Sequence, residues 1–217
     1  MALIVYSGGL DSTVLLHSLA AQGRADAALW IDYGQRHKKE YECAKFNCDK
    51  LGVKLDVADL SNLAPLFGAN ALTDKNTPVP EGDYAEDNMK TTVVPNRNMA
   101  MIAIAAARAI ALNLDSVAYA AHAGDHALYP DCRPAFADAL GEVLKLCHYR
   151  PIKLERPFIN LDKGDIVKLG ASLGVDFSKT WSCYNGATAP CGKCGTCLER
   201  RKAFEAAGIK DPLAWGA

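Results

Sequence analysis

The chain has 217 residues, half of them hydrophobic, which is enough for one substantial core and a small appended module. Its 24 Lys and Arg against 25 Asp and Glu leave a net charge of −1, which argues against a surface built mainly to grip a polyanion such as tRNA. The longest apolar run, Met99 to Leu112, is broken by Arg108 and is too short to span a bilayer. Met1 leads straight into a strand with no secretory signal, so the expectation is a cytoplasmic protein without a membrane partner. In that setting the eight cysteines are expected as thiols or metal ligands rather than disulfides.

A strand-like run through Leu3 and Tyr6 delivers Ser7-Gly8-Gly9-Leu10-Asp11-Ser12, and the apolar stretch Thr13-Val14-Leu15-Leu16 opens a helix that ends near Gly23. Two glycines let backbone N–H groups approach a ligand, and the free N–H groups of a first helical turn favour an anion. Ser7 and Ser12 add hydroxyl donors. No Gly-x-x-x-x-Gly-Lys-Ser/Thr occurs, so a different nucleotide chemistry is implied. The six residues from Ser7 to Ser12 resemble the PP-loop of the ATP pyrophosphatase group. The resemblance implies cleavage of ATP between its α and β phosphates, leaving an adenylated oxygen.

A second strand, Ala27 to Ile31, brings Asp32-Tyr33-Gly34-Gln35-Arg36-His37 to the same sheet edge, where Asp32 either meets the ribose or adenine or caps a helix. Lys38 to Leu51 reads as a helix closed by Gly52, with Cys43 and Cys48 as ordinary semi-buried thiols, and Val53 to Val57 as a third strand. Residues 59–94 show weak periodicity, three prolines and the acids Glu81, Asp83, Glu86 and Asp87. Such a stretch is either a lid over the nucleotide or a surface excursion. After Val94-Pro95-Asn96-Arg97-Asn98 comes a helix apolar on nearly every side, expected to be buried and capped by Asn96 or Asn98. Arg97, where that helix begins, offers a planar fork to phosphate oxygens.

The fourth strand, Ser116 to Ala120, leads into a polar loop from His122 to Arg133, in which Asp131 and Arg133 suit a substrate bearing N–H donors and a carboxylate. Gly124 and Pro130 break any helix there, so His122 and His126 do not read as a two-histidine metal site. Ala135 to Leu146 reads as a helix, Ile152 to Leu154 as a short strand, and Asp162 caps a helix from Lys163 that Gly174 ends. Lys163 sits against the helix dipole, either answering a phosphate or carboxylate or standing as a tolerated surface charge. These elements give an α/β fold, a doubly wound, mostly parallel sheet of Rossmann-like type.

Cys183, Cys191, Cys194 and Cys197 fall within fifteen residues, three of them at two-residue separations with glycines in the turns. Four thiolates in this pattern suit one tetrahedral, structural Zn²⁺, with Lys193, Arg200 and Arg201 offsetting the charge. An iron–sulfur cluster is disfavoured because no fourth cysteine with a following proline comes after Cys197.

Taken together the motifs resemble the 7-cyano-7-deazaguanine synthase family of PP-loop enzymes, in order over almost the whole chain. The carrying residues are Ser7 to Ser12, Asp32 to His37, Val94 to Asn98, Tyr129-Pro130-Asp131-Cys132-Arg133, and Thr180 to Tyr184 with the three later cysteines. Two departures are visible: a Cys183 to Cys191 gap one residue short, and His122 to Leu128 in place of Asp-x-Ser-Gly. The resemblance implies the adenine nucleotide alpha hydrolase type of fold over residues 1–175, with a zinc-binding segment over 176–217 packed on it. It implies a carbon–nitrogen ligase that takes 7-carboxy-7-deazaguanine, ammonia and ATP with Mg²⁺ to the nitrile through an adenylated carboxylate and then an adenylated amide. Ser7, Asp11, Ser12, Arg97 and Lys163 are then the catalytic set, Tyr6 to Leu16 with Asp32 and Arg97 bind ATP, and Tyr129, Asp131 and Arg133 bind the deazaguanine. A homodimer without direct nucleic-acid contact is implied as well. A relative that stops at the amide, a PP-loop enzyme adenylating a tRNA base, and a non-enzymatic zinc-ribbon protein are the competing readings.

Overall fold

Short apolar runs alternate with helical segments along the chain, and each run joins one sheet. The computed structural model describes residues 1–83, 87–213 and 215. Strands β1 (Ala2–Val5), β2 (Ala25–Asp32), β3 (Lys54–Asp59), β4 (Ser116–Ala118) and β5 (Lys153–Glu155) line up in the order β3-β2-β1-β4-β5. Every pairing is parallel. The chain steps outward from β1 to β3, then crosses back to β4, so the order reverses between β1 and β4. In an open α/β sheet the crevice beyond the carboxyl ends of that pair is where a ligand binds.

Both faces of a parallel sheet need cover, and successive strand residues point to opposite faces. Leu3, Leu29 and Ile31 pack under α3 (Arg97–Ala111) and α4 (Pro134–Leu146), with Ile102 and Leu140 facing them. Ile4, Ala28 and Trp30 pack under α1 (Leu10–Ala21), α2 (Lys39–Leu51), α5 (Lys163–Ser172) and α6 (Gly195–Ala207). Leu15, Ile166 and Phe204 fill that side, each contributing about 1.5–3 kcal/mol by leaving water. Phe204 comes from beyond the cysteine cluster, so the C-terminal helix is part of the same core.

Helix ends follow their sequence signals. Asp162 accepts a hydrogen bond from the Asp165 N–H, capping α5, and Gly52 closes α2 in the left-handed conformation at φ +67°.

Three expectations need correction. Helix α3 is not buried all round: Ile102, Ala105 and Ala109 face the sheet, while Met99, Ala103 and Ala107 are exposed. Residues 59–94 are more tied down than their weak periodicity suggests, although residues 84–86, and Glu86 with them, lie outside the described residues. Ala71, Leu72 and Val94 are buried, the Ala71 N–H donates to Thr91 O, and Arg36 donates to Asp74 O and Thr77 O. Arg200 does not serve the cysteines. It is fully buried and pairs with Asp211 at 2.8 Å while donating to Thr180 Oγ1 and Phe177 O, which fastens the C-terminal turn to the body. Arg201 lies over the Trp215 ring.

Candidate active site

Gly8 and Gly9 form the turn from β1 to α1, and Gly8 adopts φ +90°, a conformation that side chains rarely take. A Cβ there would lie 2.0 Å from the Glu40 carbonyl oxygen, so the glycine is required by both conformation and space. Gly8→Ala is expected to cost roughly 3 kcal/mol or more, the upper end for a strained backbone; a melting temperature equal to the parent's would show that the turn adapts. Ser7 Oγ accepts from the Gly9 N–H and sits 3.0 Å from Ser12 Oγ, while Thr13 Oγ1 donates to Gly9 O and lies 3.1 Å from Tyr6 Oη. Tyr6, Ser7, Gly9, Leu10, Asp11 and Ser12 line a cavity of roughly 220 Å³ at the switch point. Val14, Leu15 and Leu16 do not reach it, being wholly buried in the core.

Lys163 enters the cavity from the start of α5 and pairs with Glu199 at 2.6 Å and Asp11 at 3.3 Å. Burial works against its charge, but the facing carboxylates of Asp11 and Glu199 outweigh that and hold its pKa well above the lysine range. The misfit with the helix dipole is thus answered by carboxylates. His122 Nε2 joins the group at 3.5 Å from Asp125 and 3.8 Å from Asp11. Burial pushes the Asp125 carboxyl above its usual range. Asp11 Oδ1 is buried without a hydrogen-bond partner among the described residues.

Arg97 faces this cluster across the cavity, and its guanidinium stands 5.8 Å from the ring centres of both Tyr33 and Tyr129. Among the described residues no carboxylate lies within ion-pair distance of it. A desolvated cation flanked by two rings, with Tyr33 also hydrogen-bonded to it, is arranged to receive an anion from outside the chain. Tyr129 Oη approaches Tyr184 Oη at 3.3 Å, joining the β4 loop to the cysteine segment.

Three sequence candidates sit elsewhere. Asp131 Oδ2 accepts from the Asn98 N–H, so it caps α3 across the fold and does not line the cavity; the Asn98 side chain returns a bond to Asp131 O. Arg133 is exposed and donates to His126 O. Asp32 accepts from the Gly34 N–H and pairs with Lys38 at 2.8 Å, which is the turn-capping role.

The cavity wall also holds groups to which the sequence reading gave no role: Glu40, His37, Asp125 and Cys132. Burial pushes the Glu40 carboxyl up to about 8 and the His37 imidazole down to about 3. Glu199 behind Lys163 was missed as well. Their signal is position after a strand end, since Glu40 opens α2 beside the phosphate loop.

The four sulfur atoms of Cys183, Cys191, Cys194 and Cys197 lie within 4.8 Å of one another, with Cys191 and Cys197 Sγ 3.9 Å apart. Thiolates at ~2.3 Å from one tetrahedral metal stand about 3.8 Å from each other, so the donor set fits Zn²⁺. Backbone N–H groups of Cys191 and Cys194 point at Cys183 and Cys191 sulfurs, at 3.4 and 3.3 Å. Cys194 caps α6 and Cys197 lies in its first turn, where the helix dipole favours negative sulfur. The segment roofs the cavity, since Trp181, Ser182, Tyr184 and Thr196 line it and the Trp181 N–H donates to Gly8 O. From the other side Gly82 N–H donates to Lys193 O, and Glu81 bridges Cys194.

Comparison with known proteins agrees with this geometry. Among solved structures, NMN synthetase from Francisella tularensis superposes with a TM-score of 0.51 at 17% identity, covering 96% of this chain and 77% of that one. A U34-tRNA thiolase, NcsA from Methanococcus maripaludis, does so with the same score and identity over 94% of this chain and 64% of its own. At these identities the likeness is one of fold. Closer relatives are named 7-cyano-7-deazaguanine synthase: that of Methanoregula boonei is 49% identical over 214 residues, 99% of this chain and 98% of its own. That of Psychromonas ingrahamii is 46% identical over 212 residues, 98% of this chain and 96% of its own. Residues 1–208 match the family model described as queuosine biosynthesis protein QueC. Matched by this model over residues 1–208 and by these relatives over nearly its whole length, the chain belongs to the QueC family.

Proposed function

We propose that this enzyme converts 7-carboxy-7-deazaguanine and ammonia to 7-cyano-7-deazaguanine with ATP. The observation that carries the reading is Arg97, a cation without a carboxylate partner among the described residues, lining one cavity with Ser7, Gly9 and Asp11 of the loop. Neither a carboxylate nor an amide oxygen departs unaided at neutral pH, and adenylation supplies the leaving group at each stage. The N–H groups from Gly8 to Ser12 hold the phosphates, with Ser7 and Ser12 hydroxyls beside them. Lys163, fixed by Glu199 and Asp11, and Arg97 opposite it stabilise the charge that develops as pyrophosphate leaves. Asp11 Oδ1, buried and without a partner among the described residues, suits a water of a Mg²⁺ ion that travels with the nucleotide. Tyr129 faces the deazaguanine, Asp131 acts by holding Asn98, and Arg133 steadies the loop through His126. The metal is Zn²⁺ with a structural role, in a segment over residues 176–217 packed on an ATP-binding domain over 1–175, whose core α6 shares.

The test is incubation of the purified protein with 7-carboxy-7-deazaguanine, ammonium, Mg²⁺ and ATP, following deazaguanine species and nucleotides together by mass spectrometry. Nitrile and AMP rising in step support the reaction. Amide alone, or AMP release only on addition of tRNA, overturns it in favour of an amide-forming or a tRNA-directed enzyme.

We also propose that two copies pair through the groove between α3 and α4. It is lined by Met99, Ala103, Phe136 and Val143, with Val143 57% exposed, a clustering of apolar surface that water disfavours. Val143→Asp is expected to give a monomer by light scattering where the parent is a dimer; a variant that remains dimeric would move the interface elsewhere. No described helix is long and apolar enough to cross a membrane, and with the free thiols this supports a cytoplasmic setting.

A further inference from the structure

Glu40 is the second residue of α2, whose N-terminus runs across the phosphate loop. A Cβ on Gly9 would lie 3.4 Å from Glu40 Oε1, so the carboxyl overhangs the loop at the cavity wall with its side chain 13% exposed. Among the described residues no Lys or Arg reaches ion-pair distance of it. Its near neighbour is His37, with Nε2 3.6 Å from Glu40 Oε2, beyond hydrogen-bond length. The titratable and charged groups around it are His37 and Cys43 beside it in sequence, Asp11 on α1, Arg97 on α3 and Tyr33 after β2. Such a carboxyl is costly to bury and does nothing for the packing that an apolar residue would not do better.

We propose that Glu40 is the base that takes the last N–H proton as the nitrile forms, an inference that rests on the reaction proposed above. In that step the O-adenylated imidate, R–C(O–AMP)=NH, gives its proton to the Glu40 carboxylate. The N–H electron pair becomes the second π bond of C≡N, and the C–O bond breaks with its pair leaving on AMP. Atoms and charge balance with no further reactant: nitrile, AMP and the protonated acid are the products. The amide-forming step differs, because ammonia arrives from solution with a free-base fraction set by its own pKa. The bound imidate has no such supply and depends on a base inside the cavity.

The electrostatics suit this task. Burial, with Asp11 adding to it and Arg97 opposing, raises the Glu40 pKa to about 8, close to a working pH where a general base is most effective. His37 stays uncharged and so leaves that carboxylate un-neutralised. The acid therefore keeps its proton below about pH 8, and the reactive form is gained as pH rises through that value.

The experiment uses Glu40→Gln, which keeps shape and loses the base. Product ratios are followed from 7-carboxy-7-deazaguanine with ammonium and ATP, and the amide is also supplied directly across a pH series. The expected result is accumulation of amide, with nitrile formation relative to amide formation down at least 100-fold. The rise in amide-to-nitrile rate towards pH 8 seen in the parent should also be lost. Glu40→Asp should recover part of the nitrile rate, and it carries the same ratio test should the glutamine variant not fold. Nitrile at the parental ratio, or both steps reduced by one factor, would overturn the proposal. A parent protein that forms neither amide nor nitrile would instead refute the reaction itself.

Discussion

Arg97→Ala is expected to lower nitrile formation by two to three orders of magnitude and to leave the protein folded. The side chain gives up little on removal: it has cation–π contacts to Tyr33 and Tyr129 at 5.8 Å, a side-chain hydrogen bond with Tyr33 and, among the described residues, no ion pair. Those contacts are worth about 0.5–2 kcal/mol each, and the substitution also relieves the cost of holding a desolvated charge. Charge developing on a phosphate in the transition state loses far more, since deleting one such donor costs about 2.7–4 kcal/mol of barrier, a factor of roughly 10²–10³. Differential scanning calorimetry and turnover measured on one preparation separate the two effects. An unchanged rate with an unchanged melting temperature would remove Arg97 from the chemistry.

Arg97→Lys sharpens the test. Lysine keeps the charge but presents a point where arginine presents a fork, and it stacks less well between two rings. If the guanidinium grips phosphate oxygens bidentately, the lysine variant should stay within about tenfold of the alanine variant rather than of the parent. Recovery to near-parental turnover would mean that only the charge matters.

What the sequence disclosed and what it hid divide along the range of the interactions. The β1 turn was legible because its chemistry is contiguous: Gly8 must take φ +90° and Ser7, Gly9 and Ser12 bond among themselves. The parallel sheet was legible because strand-like runs alternate with helical ones, as where β1 runs into α1 and Asp162 caps α5 after β5. Lys163 was suspect from its place against a helix dipole, yet its partners Asp11 and Glu199 come from α1 and α6 and no local pattern names them. Asp131 illustrates the opposite error. A polar residue in a loop at the right sheet edge read as a substrate contact, while the fold uses it to cap α3. The anchoring of the 59–94 segment was not legible because its buried residues, the run Asn70-Ala71-Leu72 and then Val79, Met89 and Val94, fall at irregular intervals that produce no periodicity. In α3 the run of alanines looked buried on all sides, but small residues are as readily left facing a groove as a core.

Cys194→Ser is expected to empty the metal site and lower the melting temperature by about 10 °C or more, from a loss of several kcal/mol at roughly 2–4 °C per kcal/mol for a chain of this size. Cys194 is fully buried, and its sulfur shares a site with three others within 4.8 Å, so its loss leaves three thiols, one short of the closed set that a structural zinc site uses. Without the metal, like charges on adjacent thiolates repel and the sulfurs must be protonated instead, leaving the segment held by its hydrogen bonds alone. Those bonds reach the active site: Trp181 N–H to Gly8 O, Glu81 paired with Cys194, and Tyr184 against Tyr129. Loss of the metal should therefore raise the KM for ATP as well as lower stability, and a chelator that strips the parent should do both. Elemental analysis showing one zinc per chain in the parent, with no absorbance near 400 nm, separates zinc from an iron–sulfur cluster. A serine variant that lacks metal yet melts with the parent and keeps its KM would show that the C-terminal fold needs no ion.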